Sequence, residues 1–144
     1  MRLTQYTDYS LRVLMFLGLR DPQPAQIGEI AERYGISHHH LAKVVPLLAE
    51  CGYITTQRGR TGGLRLAQSA ARIRVGDVVR RCEADLALVE CFNRQRNTCV
   101  VAPACVLTKV LEAALAAFLA ELDRHTLADI LVPQSRLVKL LAIR

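Results

Sequence analysis

Three of the five cysteines in this 144-residue chain, Cys91, Cys99 and Cys105, fall inside the short stretch ECFNRQRNTCVVAPAC. Seven residues separate the first pair and five the second. Such thiols can form disulfides, bind a metal, react with oxidants or simply fill space, and their spacing narrows the choice. There is no Cys-x-x-Cys pair of the kind that marks a zinc ribbon or a thioredoxin-like centre, and the next histidine, His125, lies twenty residues past Cys105. Three thiolates leave one position of a tetrahedral zinc site unfilled. An iron–sulfur cluster is held by cysteine thiolates and tolerates another ligand at one iron. Pro103 restricts the backbone just before Cys105, which places that thiol at the first turn of a long helix, where the helix dipole favours a thiolate. On spacing alone a cluster leads, with zinc, a thiol switch and structural cysteine as alternatives. Cys51 and Cys82 read as small buried hydrophobes.

The surroundings of these cysteines bear on their redox state. The N-terminal MRLTQYTDYS lacks the basic, apolar and small-residue regions of a secretory signal, so a cytoplasmic location is expected. In that compartment disulfides are disfavoured. Apolar residues make up 51% of the chain, too many for disorder, yet no apolar run approaches the ~20 residues of a membrane span.

The net charge of +6 is concentrated. Between Ser37 and Arg81 stand eight basic residues (Lys43, Arg58, Arg60, Arg65, Arg72, Arg74, Arg80, Arg81) against two acids, Glu50 and Asp77, and the rest of the chain is balanced. A surplus confined to one third of the sequence is the footprint expected for a polyanionic partner.

The elements that carry this charge follow from periodicity. Residues 4–20 place Tyr6, Tyr9, Val13, Phe16 and Leu17 at helical spacing, and the following DPQP ends that helix. IGEIAERYGISHHHLAKVV reads as a helix-turn-helix: Gly35 supplies the positive φ of the turn, Ser37 is suited to cap the second helix, and Gly52 closes it. Pro46 falls inside that helix and predicts either a kink or a separate first turn. YITTQRGRTGGLRL alternates on both sides of a glycine-rich centre, predicting a β-hairpin tipped with arginines. A nucleotide loop would require a helix after the glycines, and a strand follows instead. A basic hairpin directly after a helix-turn-helix is a wing, able to reach phosphates or a minor groove. VGDVVRRCE predicts a short helix with Val75, Val78, Val79 and Cys82 inward.

From 104 to 122 the chain is apolar nearly all round, a helix of about 28 Å at 1.5 Å per residue and longer than a small winged domain covers. The excess implies two-fold pairing with a second copy. Residues 126–132 and 135–141 are expected to pack against this helix. The fold class is therefore mainly α with a small β-hairpin: a winged helix-turn-helix domain over residues 1–83 with its wing at 53–66, a cysteine loop at 84–105, and a dimerisation helix with C-terminal segments at 104–144. Double-stranded DNA is the expected partner, with Ser37, His38, His39, His40 and Lys43 at the major groove and Arg58, Arg60 and Thr61 of the wing at the backbone or minor groove. Consecutive histidines diverge around a helix, so His38 to His40 are not read as a metal run. No Ser/His/Asp set, paired carboxylates or nucleotide loop points to an enzyme.

LTQYTDYSLRVL, ISHHHLAKVV, RGRTGGLRL, IRVGDVVR, the cysteine loop ending in PAC, and ELDRHTLADIL, in this order, resemble the iron–sulfur winged-helix transcriptional repressors over residues 1–141. Within that family the chain is most similar to the members that sense nitric oxide. The resemblance implies a homodimer on a near-palindromic operator, with a cluster on Cys91, Cys99 and Cys105 and a fourth ligand, Asp8, from the first helix of the other subunit. It implies a repressor whose cluster reacts with nitric oxide and whose operator binding is then lost. The related repressors of cluster assembly carry [2Fe-2S] with a histidine just after the last cysteine. Here Val106, Leu107 and Thr108 occupy that neighbourhood, and Asp8 is present, which favours [4Fe-4S]. The gap between Cys91 and Cys99 is longer than usual for the family.

Overall fold

The computed structural model describes residues 2–57, 59, 62–93 and 95–143. Helix α1, Gln5–Arg20, is the central element. It is followed by α2, Ile27–Tyr34; α3, His38–Glu50; an antiparallel hairpin of β1, Ile54–Gln57, and β2, Gly63–Leu66; and α4, Val75–Cys82. The cysteine loop leads into α5, Val106–Asp123, and then α6, Leu127–Ile130, and α7, Gln134–Leu140. Both the class and the order of elements match the expectation from sequence.

The core forms where the stripes meet. Val13, Leu14, Phe16 and Leu17 of α1 are buried with Ile30 of α2, Leu41, Val44 and Leu48 of α3, and Val78 of α4. Gly35 ends α2 at φ +63°, and the Ile36 N–H returns to the Ala31 carbonyl, closing the tight turn of the helix-turn-helix. Ser37 occupies the N-cap position of α3, but its hydroxyl makes no capping bond. Helix α3 runs through Pro46 as one element. Pro46 and Ala42, whose carbonyl loses its usual donor, both lie on the exposed face, where water can replace that bond.

The hairpin pairs Ile54 with Leu66 and Gln57 with Gly63. It is also stitched to the α1–α2 linker: Ala25 and Leu64 exchange both backbone hydrogen bonds, at 3.0 and 2.8 Å. Gly63 makes this possible, because at φ +147° a Cβ would stand 2.8 Å from the Ala25 carbonyl oxygen. This strand-like third contact has no signature in the local alternation of the sequence.

The expectation for the C-terminal segments is corrected. They return to the winged domain instead of lying along α5. The Leu127 N–H donates to Ile73 O at 2.7 Å, Val75 N–H to His125 O at 2.9 Å, and Leu127 and Leu131 join the core beside α1. The physical reason is the capping box of Thr126 with Asp129, which turns the chain sharply after α5. Helix α5 itself has no buried residue over its eighteen positions and packs in this chain against α4.

Candidate cluster-binding and DNA-binding sites

The cysteine loop delivers its thiols to the start of α5. Cys105 is the N-cap of that helix. The Thr108 backbone N–H is the strongest influence on its thiol, followed by the Thr108 hydroxyl and the Leu107 N–H, and together they hold it below the usual thiol range. Cys91 Sγ lies 3.4 Å from the same Thr108 Oγ1. One hydroxyl at the third position of α5 is thus shared by two thiols 14 residues apart in the sequence. Cys99 stands partly exposed, its N–H donating to Asn97 Oδ1 at 3.0 Å. All five cysteines are free. The donor chemistry fits a thiolate-held iron centre: part-exposed thiols, one of them at a helix N-terminus.

The set does not close within one chain. Among the described residues, no three His, Cys, Asp or Glu side chains converge as they would around a metal ion. Asp8 is in the first turn of α1, where its carboxylate accepts from Arg12 Nε at 3.1 Å and pairs with Nη2 at 2.8 Å. Around the thiols the surface is apolar and uncovered: Val100 is 92% exposed and Val106 72%, with Val101, Leu107 and Val110 also open.

Asp8 is also linked physically to α3. The Arg12 guanidinium lies 6.0 Å from the Tyr9 ring centre and 5.8 Å from that of Tyr34 on α2. Burial pushes the Tyr34 hydroxyl up to about 12, against the lowering effect of Arg12. Tyr9 in turn packs against His40, the rings tilted with centres 5.8 Å apart, and the Tyr6 hydroxyl donates to the Lys43 carbonyl. Two rings of α1 therefore grip α3.

Ser37, His38, His39, His40 and Lys43 are all exposed at the N-terminal part of α3. Arg58, Arg60 and Thr61 lie outside the described residues. Of the other basic residues, Arg72, Arg74 and Arg81 are exposed, whereas Arg80 is engaged, its guanidinium forked onto Asp123 with Nη1 2.6 Å from Oδ1. Arg65 donates to the Pro22 carbonyl. Cys82 is buried as expected, and burial pushes its thiol up; Cys51 is half-buried at the edge of the core. The sequence reading missed Thr108, Arg12 and Tyr9. A threonine three residues after a helix-capping cysteine is the local signal that would have found the first.

The sequence model of the Rrf2 family, described as an iron-dependent transcriptional regulator, matches residues 3–133. The chain belongs to the Rrf2 family. It is 48% identical over 145 residues to the HTH-type transcriptional regulator NsrR of Bacillus subtilis (strain 168), covering 100% of this chain and 99% of the relative. The NsrR of Geobacillus kaustophilus (strain HTA426) is 50% identical, with 100% and 99% covered. Among solved structures, T. potens IscR superposes with a TM-score of 0.73 at 26% identity, over 91% of this chain and 86% of that one. The Rrf2 assignment accounts for the helix-turn-helix, the wing and the long helix together. No helix among the described residues is long and apolar enough to cross a membrane.

Proposed function

We propose that this Rrf2 protein is a homodimeric transcriptional repressor that holds a [4Fe-4S] cluster and leaves its operator on exposure to nitric oxide. The observation that carries the reading is the gathering of Cys91 and Cys105 at Thr108, with the Cys105 thiol drawn toward its charged form, in a chain alike over its whole length to regulators named NsrR. Cys91, Cys99 and Cys105 would hold the cluster through their thiolates, and Asp8 of a second copy would supply the remaining ligand through oxygen. A cluster bound there supplies iron that reacts with nitric oxide.

The remaining steps belong to the protein. An Asp8 carboxylate taken up as a ligand would be withdrawn from Arg12. Without that duty Asp8 would pair with Arg12 as it does here, and the Arg12 guanidinium against Tyr9 and Tyr34, with Tyr9 beside His40, would link the state of Asp8 to α3. Pairing through the uncovered face of α5 brings the second Asp8 to the cysteine loop and sets the separation of the two α3 helices, hence the half-site spacing. Ser37, His38, His39, His40 and Lys43 face the major groove, and Arg58, Arg60 and Thr61 the phosphates or minor groove.

Anaerobic purification tests the reading. A brown protein with iron and sulfide near four per chain, sequence-specific DNA binding that falls with salt, and loss of that binding on nitric oxide addition are expected. A colourless protein containing zinc, or DNA binding indifferent to nitric oxide, overturns it. Two irons and two sulfides would assign [2Fe-2S] instead.

A further inference from the structure

Thr7 and Ser10 are the two polar side chains buried completely among the described residues, both on α1 and both facing the end of α4. Ser10 donates to the Tyr6 carbonyl at 2.8 Å and meets the Cys82 thiol. Thr7 donates its hydroxyl to Glu83. The Glu83 carboxylate also accepts from the Thr4 backbone N–H, at 3.2 Å to each oxygen, and from the Thr4 hydroxyl at 3.2 Å.

This arrangement repeats a capping box with one member supplied from elsewhere. Thr4 is the N-cap of α1, and its Oγ1 accepts from the Thr7 N–H at 3.3 Å. In a local capping box an acid at the third helical position would accept from the N-cap N–H. That position holds Thr7, which is no acid and whose hydroxyl donates to Glu83 instead. Glu83, 79 residues away, accepts the bond instead and places its negative charge at the positive end of α1.

We infer that Glu83 is a positioning residue: its carboxylate caps α1 across the fold and fixes the turn carrying Asp8 against the root of the cysteine loop. Glu83 is the last residue before that loop, its N–H bonded to Val79 O at 2.9 Å, and Asp8 directly follows Thr7. Any movement of the loop root therefore pulls on the first turn of α1. The consequence for iron binding rests on the reading of Asp8 as a ligand; the consequence for α1 does not.

Amide hydrogen exchange of the cluster-free protein and anaerobic cluster-release rates, measured on full-length Glu83→Ala, Glu83→Gln, Asp8→Ala and a loop control, Glu90→Ala, test it. Glu83→Ala is expected to speed exchange across residues 5–8 at least about tenfold while leaving α6 unchanged. Glu83→Gln, which keeps the shape and one acceptor oxygen, falls between it and wild type, and serves alone if the alanine variant does not fold. Glu90→Ala matches wild type. In the loaded protein, Glu83→Ala releases iron several-fold faster. Wild-type exchange at residues 5–8 in both Glu83 variants overturns the inference. If Asp8→Ala keeps its cluster unchanged while Glu83→Ala still loosens α1, the ligand reading fails and the positioning role stands. If Asp8→Ala loses its cluster while Glu83→Ala exchanges and releases as wild type does, the positioning role fails alone.

Discussion

Thr108 governs the reactivity of the cysteine site, although it is not itself a candidate ligand. Its backbone N–H and hydroxyl both lower the Cys105 thiol, and its hydroxyl touches Cys91. In the cluster-free protein Cys105 should therefore be the fastest thiol to alkylate at neutral pH, ahead of Cys99 and far ahead of buried Cys82. The rate rises with pH through a midpoint below the ordinary thiol range, because the thiolate is the nucleophile. Thr108→Val, which keeps the backbone donor and removes the hydroxyl, shifts that midpoint up and slows the reaction at neutral pH by roughly threefold to tenfold. Mass spectrometry of a timed iodoacetamide quench checks both. Equal rates for all three loop cysteines would remove the role given to the helix terminus.

Element by element, α4 is the hub between the winged domain and α5. Arg80 forks onto Asp123, and Gly76 leaves the room for it, since a Cβ there would overlap Asp123 Oδ1. Gly76→Ala should cost about 1–2 kcal/mol, because the carboxylate must move off the guanidinium, and lower the melting temperature by several degrees. Differential scanning calorimetry measures this directly. The same clasp gives a signed pH dependence. Hydrogen bonding from Arg80 depresses the Asp123 carboxyl, and the Thr126 backbone N–H depresses Asp129. A carboxylate depressed in the folded state adds stability that is complete above the unfolded value of about 3.9 and is lost as pH falls through the folded one. The melting temperature is thus expected to be flat near neutrality and to fall below about pH 4, less steeply in Asp123→Asn. An unchanged acid limb in that variant would show that the clasp contributes nothing.

For the whole molecule, the proposed pairing rests on exposed apolar surface. Val106, Leu107 and Val110 on α5 adjoin Val100 and Val101 of the cysteine loop, so one partner surface would cover both the helix and the thiols. Leu107→Glu together with Val110→Glu is expected to yield a monomer in sedimentation velocity, with far-ultraviolet circular dichroism unchanged because both side chains are exposed within one chain. The monomer should bind an operator at least about a hundredfold more weakly, having lost the second half-site. Lys43→Ala tests the DNA face separately. It should weaken binding and reduce the slope of log affinity against log salt by about one if Lys43 contacts a phosphate.

Local patterning made much of this legible. Alternation predicted the hairpin, the apolar stripes predicted α1 and α4, and Gly35 marked the turn, because each depends on neighbours within a few positions. The resemblance carried by the cysteine loop and RGRTGGLRL reached the family, and the match over residues 3–133 established it. The sequence alone also placed Cys105 at a helix start, at the end of a loop carrying two further thiols. It could not show that two of them meet at Thr108, that Arg12 pairs with Asp8 while lying against the rings of Tyr9 and Tyr34, or that Leu127 and Leu131 return to α1. Least legible was Glu83, which ends VGDVVRRCE with no local mark of its role. Its role arises from a defect elsewhere, the missing acid at the third position of α1, and folding brings the two together across 76 residues. Periodicity acts over one or two turns of chain, whereas a cap needs only a donor and an acceptor within about 3 Å, wherever in the sequence they originate.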